Sequence, residues 1–581
     1  MSTTELHRPN QRPFASSPAL IAITLLVAAV IINPFREMCA LDDSWAYARM
    51  VQHLLATGHY HLDAWSAANM PVQIYLAAAL SKIFGYSLSL LRCSTLLLFV
   101  VALVGFHRLA RELGHSATIA SILTLAIAAS PLVLMLAFTF MSDVQFLGWL
   151  MLALVLYFRG IRDRSAVRIF LGSLAAACAI GTRQFGAAIV VGLLLAWLWP
   201  SQDRPPVRLL FLGITAPFLA TIAQIYAGLA APNVTQTLMI TEMREFFLLP
   251  IRTCVAELIW RCAAIFQYLG MSLLPLTVLV FKMPRTLWSK PVFRIPFWFL
   301  CVLACAAILL GLSIASPMSA RPEARHQGLA TPLELYWLLP THFSVVPGVM
   351  WFLDIGGIAG GALLIALTFQ KIQGATPRTR LHPEKIFLAG TAIGLFLMYL
   401  QFHQLNDTYL IALIPFALLL FGDSFKNVAL SRSVINTCAL VSVIFILATT
   451  ILMRGDYARQ QTIWNSADAL AQTGVEPLNV GVPYWAEYHG LFDAWVAAGT
   501  PGYTLKDRHV YLHPPQDPYN IWRQSQWDHV PYRIMVSVDL VPPQGWKVIA
   551  SRSYRSVNLS RRFVLTLMRD PSLQQQSGSM K

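Results

Sequence analysis

The sequence predicts a mostly α-helical, polytopic membrane protein that ends in a small α/β domain. Three observations carry that prediction. Hydrophobic residues make up 56% of the 581-residue chain and charged residues only 12%, against roughly 25% charged in an ordinary soluble domain. Apolar runs long enough to cross a hydrocarbon core of about 30 Å, which takes about 20 helical residues, recur from residue 17 to about residue 453. From Arg454 onward the composition turns polar and rich in Trp, Tyr, Pro and Gly, with short alternating segments of strand type.

Counting the runs gives roughly thirteen spans. The formal charge of +15 would suit a nucleic-acid partner if it formed a patch, and it does not. The basic residues sit in alternate short connectors: Arg108 and Arg111; Arg159, Arg162, Arg164 and Arg168; Arg204 and Arg208; Lys282, Arg285, Lys290 and Arg294; Lys371, Arg378, Arg380 and Lys385; Lys426 and Arg432. The positive-inside rule places these, with Arg8 and Arg12, in the cytoplasm. Asp42, Asp43, Asp143, Arg183 and the segment around His403 then emerge on the outer face, as expected of a bacterial inner-membrane protein. The eight cysteines lie mostly inside apolar runs, with no Cys-x-x-Cys pair, and read as small buried residues. The first apolar run has no A-x-A-like cleavage site and reads as a retained signal anchor.

Along the chain the expected organisation is a membrane domain over 1–453, an extracytoplasmic α/β domain over 454–570 and a disordered tail over 571–581. An odd number of spans puts the second domain outside. The strands are expected in "RIMVSVDL", "WKVIASRSYRS" and "RFVLTLMR". No repeat of fixed period is visible, which gives no support to an inverted-repeat transporter.

The first outer loop, about residues 35–90, has structure of its own. Asp42, Asp43 and Ser44 are good helix starters, Gly58 is a good stop, and Tyr47, Val51 and Leu54 form an apolar stripe at helical spacing. This predicts an amphipathic helix at the membrane surface. A second apolar stretch begins at Pro71, which suits a first helical turn.

Two adjacent carboxylates at the end of a hydrophobic segment raise the question of chemistry. Capping explains one of them, at about 0.3–1 kcal/mol from the helix dipole. A second, about 100° round the helix, is free for another task. Asp143, in "TFMSDVQFLGW", is an ionisable residue near membrane depth and so a functional candidate beside its reading as a simple cap. Arg183, in "IGTRQFG", and Arg92 either snorkel to lipid phosphate or clamp a phosphate in a cavity. The late stretch "QFHQLNDTYLIALIP" is polar from His403 to Thr408; His403, Asn406, Asp407 and Tyr409, with Tyr47, are candidates to line a polar cavity. No P-loop, dinucleotide motif or His-Glu-x-x-His site is present.

These features together resemble the GT-C membrane glycosyltransferases. The acidic pair after the first span, the amphipathic loop ending in an Xaa-Pro segment, "GYSLSLLRCSTLLLFVVALVGFHRLARELG" and the Ser-Asp of the second outer loop carry the likeness over about residues 17–200. It returns at "NDTYLIALIP". The sequence is most similar to the dolichyl-phosphate-mannose protein mannosyltransferases and the bacterial aminoarabinose transferases. The resemblance implies transfer of a sugar from a polyprenyl-phosphate donor to a protein, lipid or glycan acceptor on the outer face, by one inverting displacement.

Carried over by residue, the family's Asp-Glu pair falls on Asp42 and Asp43, and its second-loop acid on Asp143. Asp42 takes the role of base, Asp43 stands where Glu is usual, and Asp143 positions the acceptor or shares a divalent metal with Asp42. No cofactor is required by the sequence, and the metal question stays open. Two departures matter: Met70 stands where the aminoarabinose branch has a phosphate-binding Lys, and Thr408 where an Arg precedes the Tyr. Donor phosphate binding is therefore expected at Arg183 or Arg92. A polytopic transporter or flippase for lipid-linked sugar is the alternative from another class.

Overall fold

The structure, a computed structural model, describes residues 18–39, 43–200, 205–230, 232–237, 240, 244, 248, 250–283, 289–291, 294–299, 346–374, 382–401, 407–426, 428–499, 518–556 and 560–570. Asp42, His403, Asn406 and the side chain of Asp407 lie outside them, as does the 571–581 tail.

The chain is mostly helical. The helices are α1 (Pro18–Ile32), α2 (Ser44–Thr57), α3 (Pro71–Phe84), α4 (Leu88–Glu112), α5 (Ala117–Ala129), α6 (Pro131–Ala137), α7 (Ser142–Arg162), α8 (Ala166–Thr182) and α9 (Ala188–Leu198). They continue as α10 (Val207–Ala230), α11 (Ile251–Met271), α12 (Val346–Gly374), α13 (Pro383–Gln401), α14 (Asp407–Leu410), α15 (Ile414–Gly422) and α16 (Arg432–Ala471). Among the described residues six helices are long and apolar enough to cross a membrane, and up to eight spans result if two pairs bent by 71° and 49° each count as one. The chain is therefore a multi-pass membrane protein. That measure does not reach the expected thirteen; α1, α3, α8 and the 184–198 segment are apolar but shorter.

The helix starts follow from local chemistry. Ser87, Ser116, Ser165 and Ser431 each accept a hydrogen bond from the backbone N–H three residues on, at the heads of α4, α5, α8 and α16. Pro71 takes the first turn of α3 as expected. Gly58 ends α2 at φ 74°, a left-handed conformation costly for a residue with a Cβ, and its N–H bonds the Leu54 carbonyl.

The core of the bundle is α4, α7 and α8 side by side. Gly148 on α7 permits the approach to α4, since a Cβ there would stand 2.5 Å from the Leu98 carbonyl oxygen. On the same side of α7, Gln145 donates to Ser94 and Thr95 of α4 at 3.2 and 3.1 Å. Polar bonds of this kind hold helices together where lipid gives no hydrophobic drive.

The polar end of the chain packs on α16, whose 40 residues cross the boundary expected near 453 without a break. After it come β1 (Val480–Gly481), α17 (Trp485–Tyr488), α18 (Leu491–Ala497), α19 (Pro518–Trp527), β2 (Tyr532–Ser537), β3 (Trp546–Arg555) and β4 (Arg561–Arg569). The three strands expected from alternation are β2, β3 and β4. They form one mixed sheet of order β1-β2-β4-β3, with β1 parallel to β2 and the other pairs antiparallel. The described cysteines are free.

Candidate active site

The site is assembled from ends of elements on the domain side of the bundle. Asp143 opens α7. Arg183 closes α8, in an extended conformation at φ −148° before the short 3-10 turn at Gln184–Ala187. This turn aims the guanidinium across to α7: Nη2 meets Asp143 Oδ2 at 2.9 Å and Nε donates to Ser142 Oγ at 2.8 Å. The pair is buried, with side-chain exposures of 6% and 2%, so both charges depend on each other rather than on water.

The late segment completes it. The Arg183 carbon of the guanidinium lies 4.7 Å from the centre of the Tyr409 ring, and the guanidinium donates to the Tyr409 hydroxyl. Thr408, which stands where the resemblance leads one to expect Arg, is hydrogen-bonded to the Asp143 carboxylate. Behind them Phe185 packs edge-on to Tyr399, ring centres 4.7 Å apart, and Tyr409 at 5.4 Å. The Tyr399 hydroxyl is buried within electrostatic range of Arg183 and carries no hydrogen bond among the described residues.

Asp43 reaches the same cluster from the first loop. It occupies the N-cap position of α2, but its side chain makes no cap bond. Instead Tyr47 donates its hydroxyl to Oδ2 at 3.0 Å and Trp65 donates Nε1 to Oδ1 at 2.6 Å. The capping reading therefore fails for this carboxylate, which is turned away from the helix end and held by two donors. Asp43 and Asp143 both interact electrostatically with Tyr47 and Tyr409. The expected partners Asp43, Tyr47, Asp143, Arg183 and Tyr409 are thus brought together.

Arg92 is placed elsewhere. Its Nε and Nη1 donate to the carbonyls of Pro34 and Met38 at 3.0 and 2.8 Å, while Nη2 is buried with no hydrogen-bond partner among the described residues. One turn earlier, Glu37 accepts from the Leu88 and Ser89 N–H groups at 2.8 and 3.2 Å. Arg92 and Glu37 together fasten the chain between α1 and α2 to the head of α4. A narrow cavity lined by Met38, Cys39, Ser44, Arg92 and Phe140 lies beside them.

The stripe Tyr47, Val51 and Leu54 of α2 is buried within the protein. The polar face of α2 is covered by the C-terminal domain: Arg49 binds Asp493 and the Glu487 carbonyl, and Gln52 donates to Tyr488 at 2.6 Å. Trp65, which holds Asp43, receives the edge of Phe492 of α18 at 4.9 Å and 87°. Asp63, buried beside it, has its carboxyl pushed up by loss of solvent, while Arg49 at 3.5 Å and the Trp65 N–H pull it back. Sequence reasoning missed Trp65, Ser142, Tyr399 and Phe492. For Trp65 and Phe492 the only signal was the aromatic richness of two segments 427 residues apart in number, which carries no contact information.

Among the described residues no three His, Cys, Asp or Glu side chains gather as a metal site would need. Asp143 offers its Oδ2 to Arg183, and Asp42, its expected partner on a metal, lies outside the described residues.

No family model and no curated protein matches the chain. Solved structures do. ArnT from Cupriavidus metallidurans bound to undecaprenyl phosphate is 15% identical, with 94% of this chain and 97% of that chain covered at a TM-score of 0.45. The archaeal oligosaccharyltransferase AglB from Archaeoglobus fulgidus, in complex with an inhibitory peptide and a dolichol-phosphate, is 13% identical over 88% of this chain and 62% of that one, at 0.40. The arabinosyltransferase EmbB from Mycobacterium smegmatis is 13% identical over 79% and 42%, at 0.31. At these scores the likeness adds nothing to the argument from the residues, which stands on the cluster above.

Proposed function

We propose that the chain is a membrane glycosyltransferase that moves a sugar from a polyprenyl-phosphate donor to an acceptor on the extracytoplasmic face. The observation that supports this best is the buried Asp143–Arg183 pair, faced by Tyr409 and by the Asp43 carboxylate. A phosphate with a lipid tail needs a cation at the edge of the membrane, and a sugar carbon needs a carboxylate on the side away from that phosphate.

Asp42 is the base in this reading. It takes the proton of an acceptor hydroxyl or amine as the acceptor atom bonds to the anomeric carbon. The bond from that carbon to the phosphate oxygen breaks in the same displacement, and its electron pair leaves with the polyprenyl phosphate. Proton transfer of this kind is worth roughly 10²–10⁴-fold in rate. Asp43, engaged by Tyr47 and Trp65, holds the start of α2 in place for its neighbour. Arg183 neutralises the charge growing on the phosphate, and Asp143 aims the guanidinium.

The test is transfer of radiolabelled sugar from a mixed pool of polyprenyl-phosphate sugars to membrane extracts, wild type against Asp42→Asn. Transfer by the wild type alone supports the reading, and the labelled product names the acceptor class. Equal transfer by both removes Asp42 as the base. Flux of lipid-linked sugar into liposomes without any transfer replaces the enzyme with a transporter.

A further inference from the structure

The membrane-proximal end of the C-terminal sheet carries a surface that the transfer reaction does not use. β2 ends at Ser537, opposite Phe563 of β4, which in turn lies opposite Ser553 of β3. The end of β2, the start of β4 and the end of β3 therefore share one edge of the domain. Arg552, Arg555, Arg561 and Arg562 stand there, with Arg555 directly across from Arg561 and Tyr554 across from Arg562. No described carboxylate forms an ion pair with any of the four.

Beside them the chain leaving β2 exposes three large apolar side chains, Val538, Leu540 and Val541, at 59%, 51% and 69%. The turn that presents them is built. Asp539 accepts from Ser537 Oγ at 3.1 Å and from the Val541 N–H at 3.2 Å, which occupies the acid of the segment within its own turn.

The position of this edge relative to the bilayer follows from α16. The apolar part of α16 ends near Met453, and Arg454 lies within electrostatic range of Arg36, just past the end of α1. Arginines at one level, past the end of α1 and at the end of the apolar part of α16, mark the head-group layer. Tyr554, across from Arg562, lies beside Asp456 and Arg459 of α16, and Arg459 is about 7.5 Å above Arg454 at 1.5 Å per residue. An arginine side chain spans that distance. Arg561 also lies over the Phe563 ring at 5.4 Å, a guanidinium stacked on an apolar side chain.

We propose that this edge docks on phosphate head groups of the leaflet next to the domain, with Val538, Leu540 and Val541 entering the head-group boundary and the four arginines binding lipid phosphate. Apolar side chains and guanidinium groups in one patch supply the two terms of interfacial binding, buried area and attraction to anionic lipid. Guanidinium suits phosphate because its donors form a fork. The docking fixes the height of the domain, and with it the seam of α17 and α18 against α2. It is a claim apart from sugar transfer, so the failure of either leaves the other standing.

The experiment is amide hydrogen exchange on the full-length protein in nanodiscs of phosphatidylcholine alone or mixed with phosphatidylglycerol. Exchange at 538–541 and 552–555 is expected to be slower in the anionic discs, and the difference is expected to vanish in 1 M salt, where charges are screened beyond about 3 Å. In Arg552→Gln/Arg555→Gln/Arg561→Gln the protection is expected to be lost while the amides of Val564 to Leu567 stay protected. Equal exchange of the wild-type protein in both discs overturns the proposal, whatever the fate of the variant. Protection that survives the triple substitution in a folded domain overturns it as well.

Discussion

The two ends of α7 carry the same residue types in opposite settings. At one end Arg183 and Asp143 meet with side-chain exposures of 6% and 2%. At the other, Arg159 and Arg162 bind Glu112, and Arg162 and Arg168 bind Asp163, with exposures of 38%, 39% and 41% for the three arginines. Both groups are acids and arginines at a helix terminus beside α8. Water decides what they do. The exposed network is screened and contributes about 0–1 kcal/mol per pair. The buried pair keeps its field, and losing one partner strands a charge, at a cost of about 3–5 kcal/mol. In the proposed transfer such a field is what the phosphate leaving group requires, and a surface network cannot supply it.

The largest expected effect comes from breaking the buried end. Arg183→Ala is expected to lower stability by about 3–5 kcal/mol and to weaken transfer on the order of 10²–10³-fold, read from thermal unfolding in detergent and from the donor dependence of transfer. Replacing both partners, Asp143→Leu with Arg183→Met, sharpens the comparison. An apolar pair is expected to recover most of the stability and none of the transfer. Recovery of both would reduce the pair to a structural tie.

Next is the support of the other carboxylate. Trp65→Phe removes the 2.6 Å bond to Asp43 and keeps an aromatic ring against Phe492. Stability is expected to fall by about 1 kcal/mol, because Tyr47 still serves Asp43, and transfer by on the order of 10- to 100-fold through lost alignment. A kcat that falls while the donor KM holds is the signature of positioning; unchanged kcat would detach Asp43 from the chemistry.

What the sequence revealed follows the same division. Hydropathy marked a multi-pass chain and the three alternating segments located the strands, because both are signals of one element read along its own length; the expected count of thirteen spans is not reached among the described residues. Asp143 and Arg183 were visible as charges in apolar surroundings, yet Arg92 looked the same. The difference between them is tertiary: Arg183 finds an acid, whereas Arg92 finds the carbonyls of Pro34 and Met38. Asp43 was legible as a helix start and illegible as a side chain turned back, since its partner Trp65 is 22 residues away. The substitution of Thr408 for an expected Arg becomes sensible only once its bond to Asp143 is known. In the folded chain the guanidinium beside Asp143 and Tyr409 comes from the end of α8.

An intermediate case tests the dependence on water. Asp63 is buried, and Arg49 opposite it is partly exposed, at 6% and 23%. Burial pushes the Asp63 carboxyl up, more than Arg49 and the Trp65 N–H pull it down. A carboxyl raised on folding gives its full contribution below the unfolded value, about 3.9, and loses it as pH climbs through the folded value. Thermal stability is therefore expected to decline over that window in the wild type and to be flatter in Asp63→Asn. A wild type that gains stability from this group on raising the pH would show that Arg49 outweighs burial at Asp63.

The smallest effect is expected at the exposed end of α7. Glu112→Gln removes the acid shared by Arg159 and Arg162, but Arg162 keeps Asp163 at 3.0 Å and both guanidinium groups remain in contact with water. The loss is expected to be about 0.5–1 kcal/mol at low salt, near zero at 1 M salt where screening is nearly complete, and without effect on transfer. Unfolding measured at the two salt concentrations separates the two ends: a loss at Arg183 that ignores salt and a loss at Glu112 that disappears with it. A cost at Glu112 of several kcal/mol, constant in salt, would mean that the network is shielded from water after all, and the contrast between the two ends of α7 would have to rest on charge geometry instead of burial.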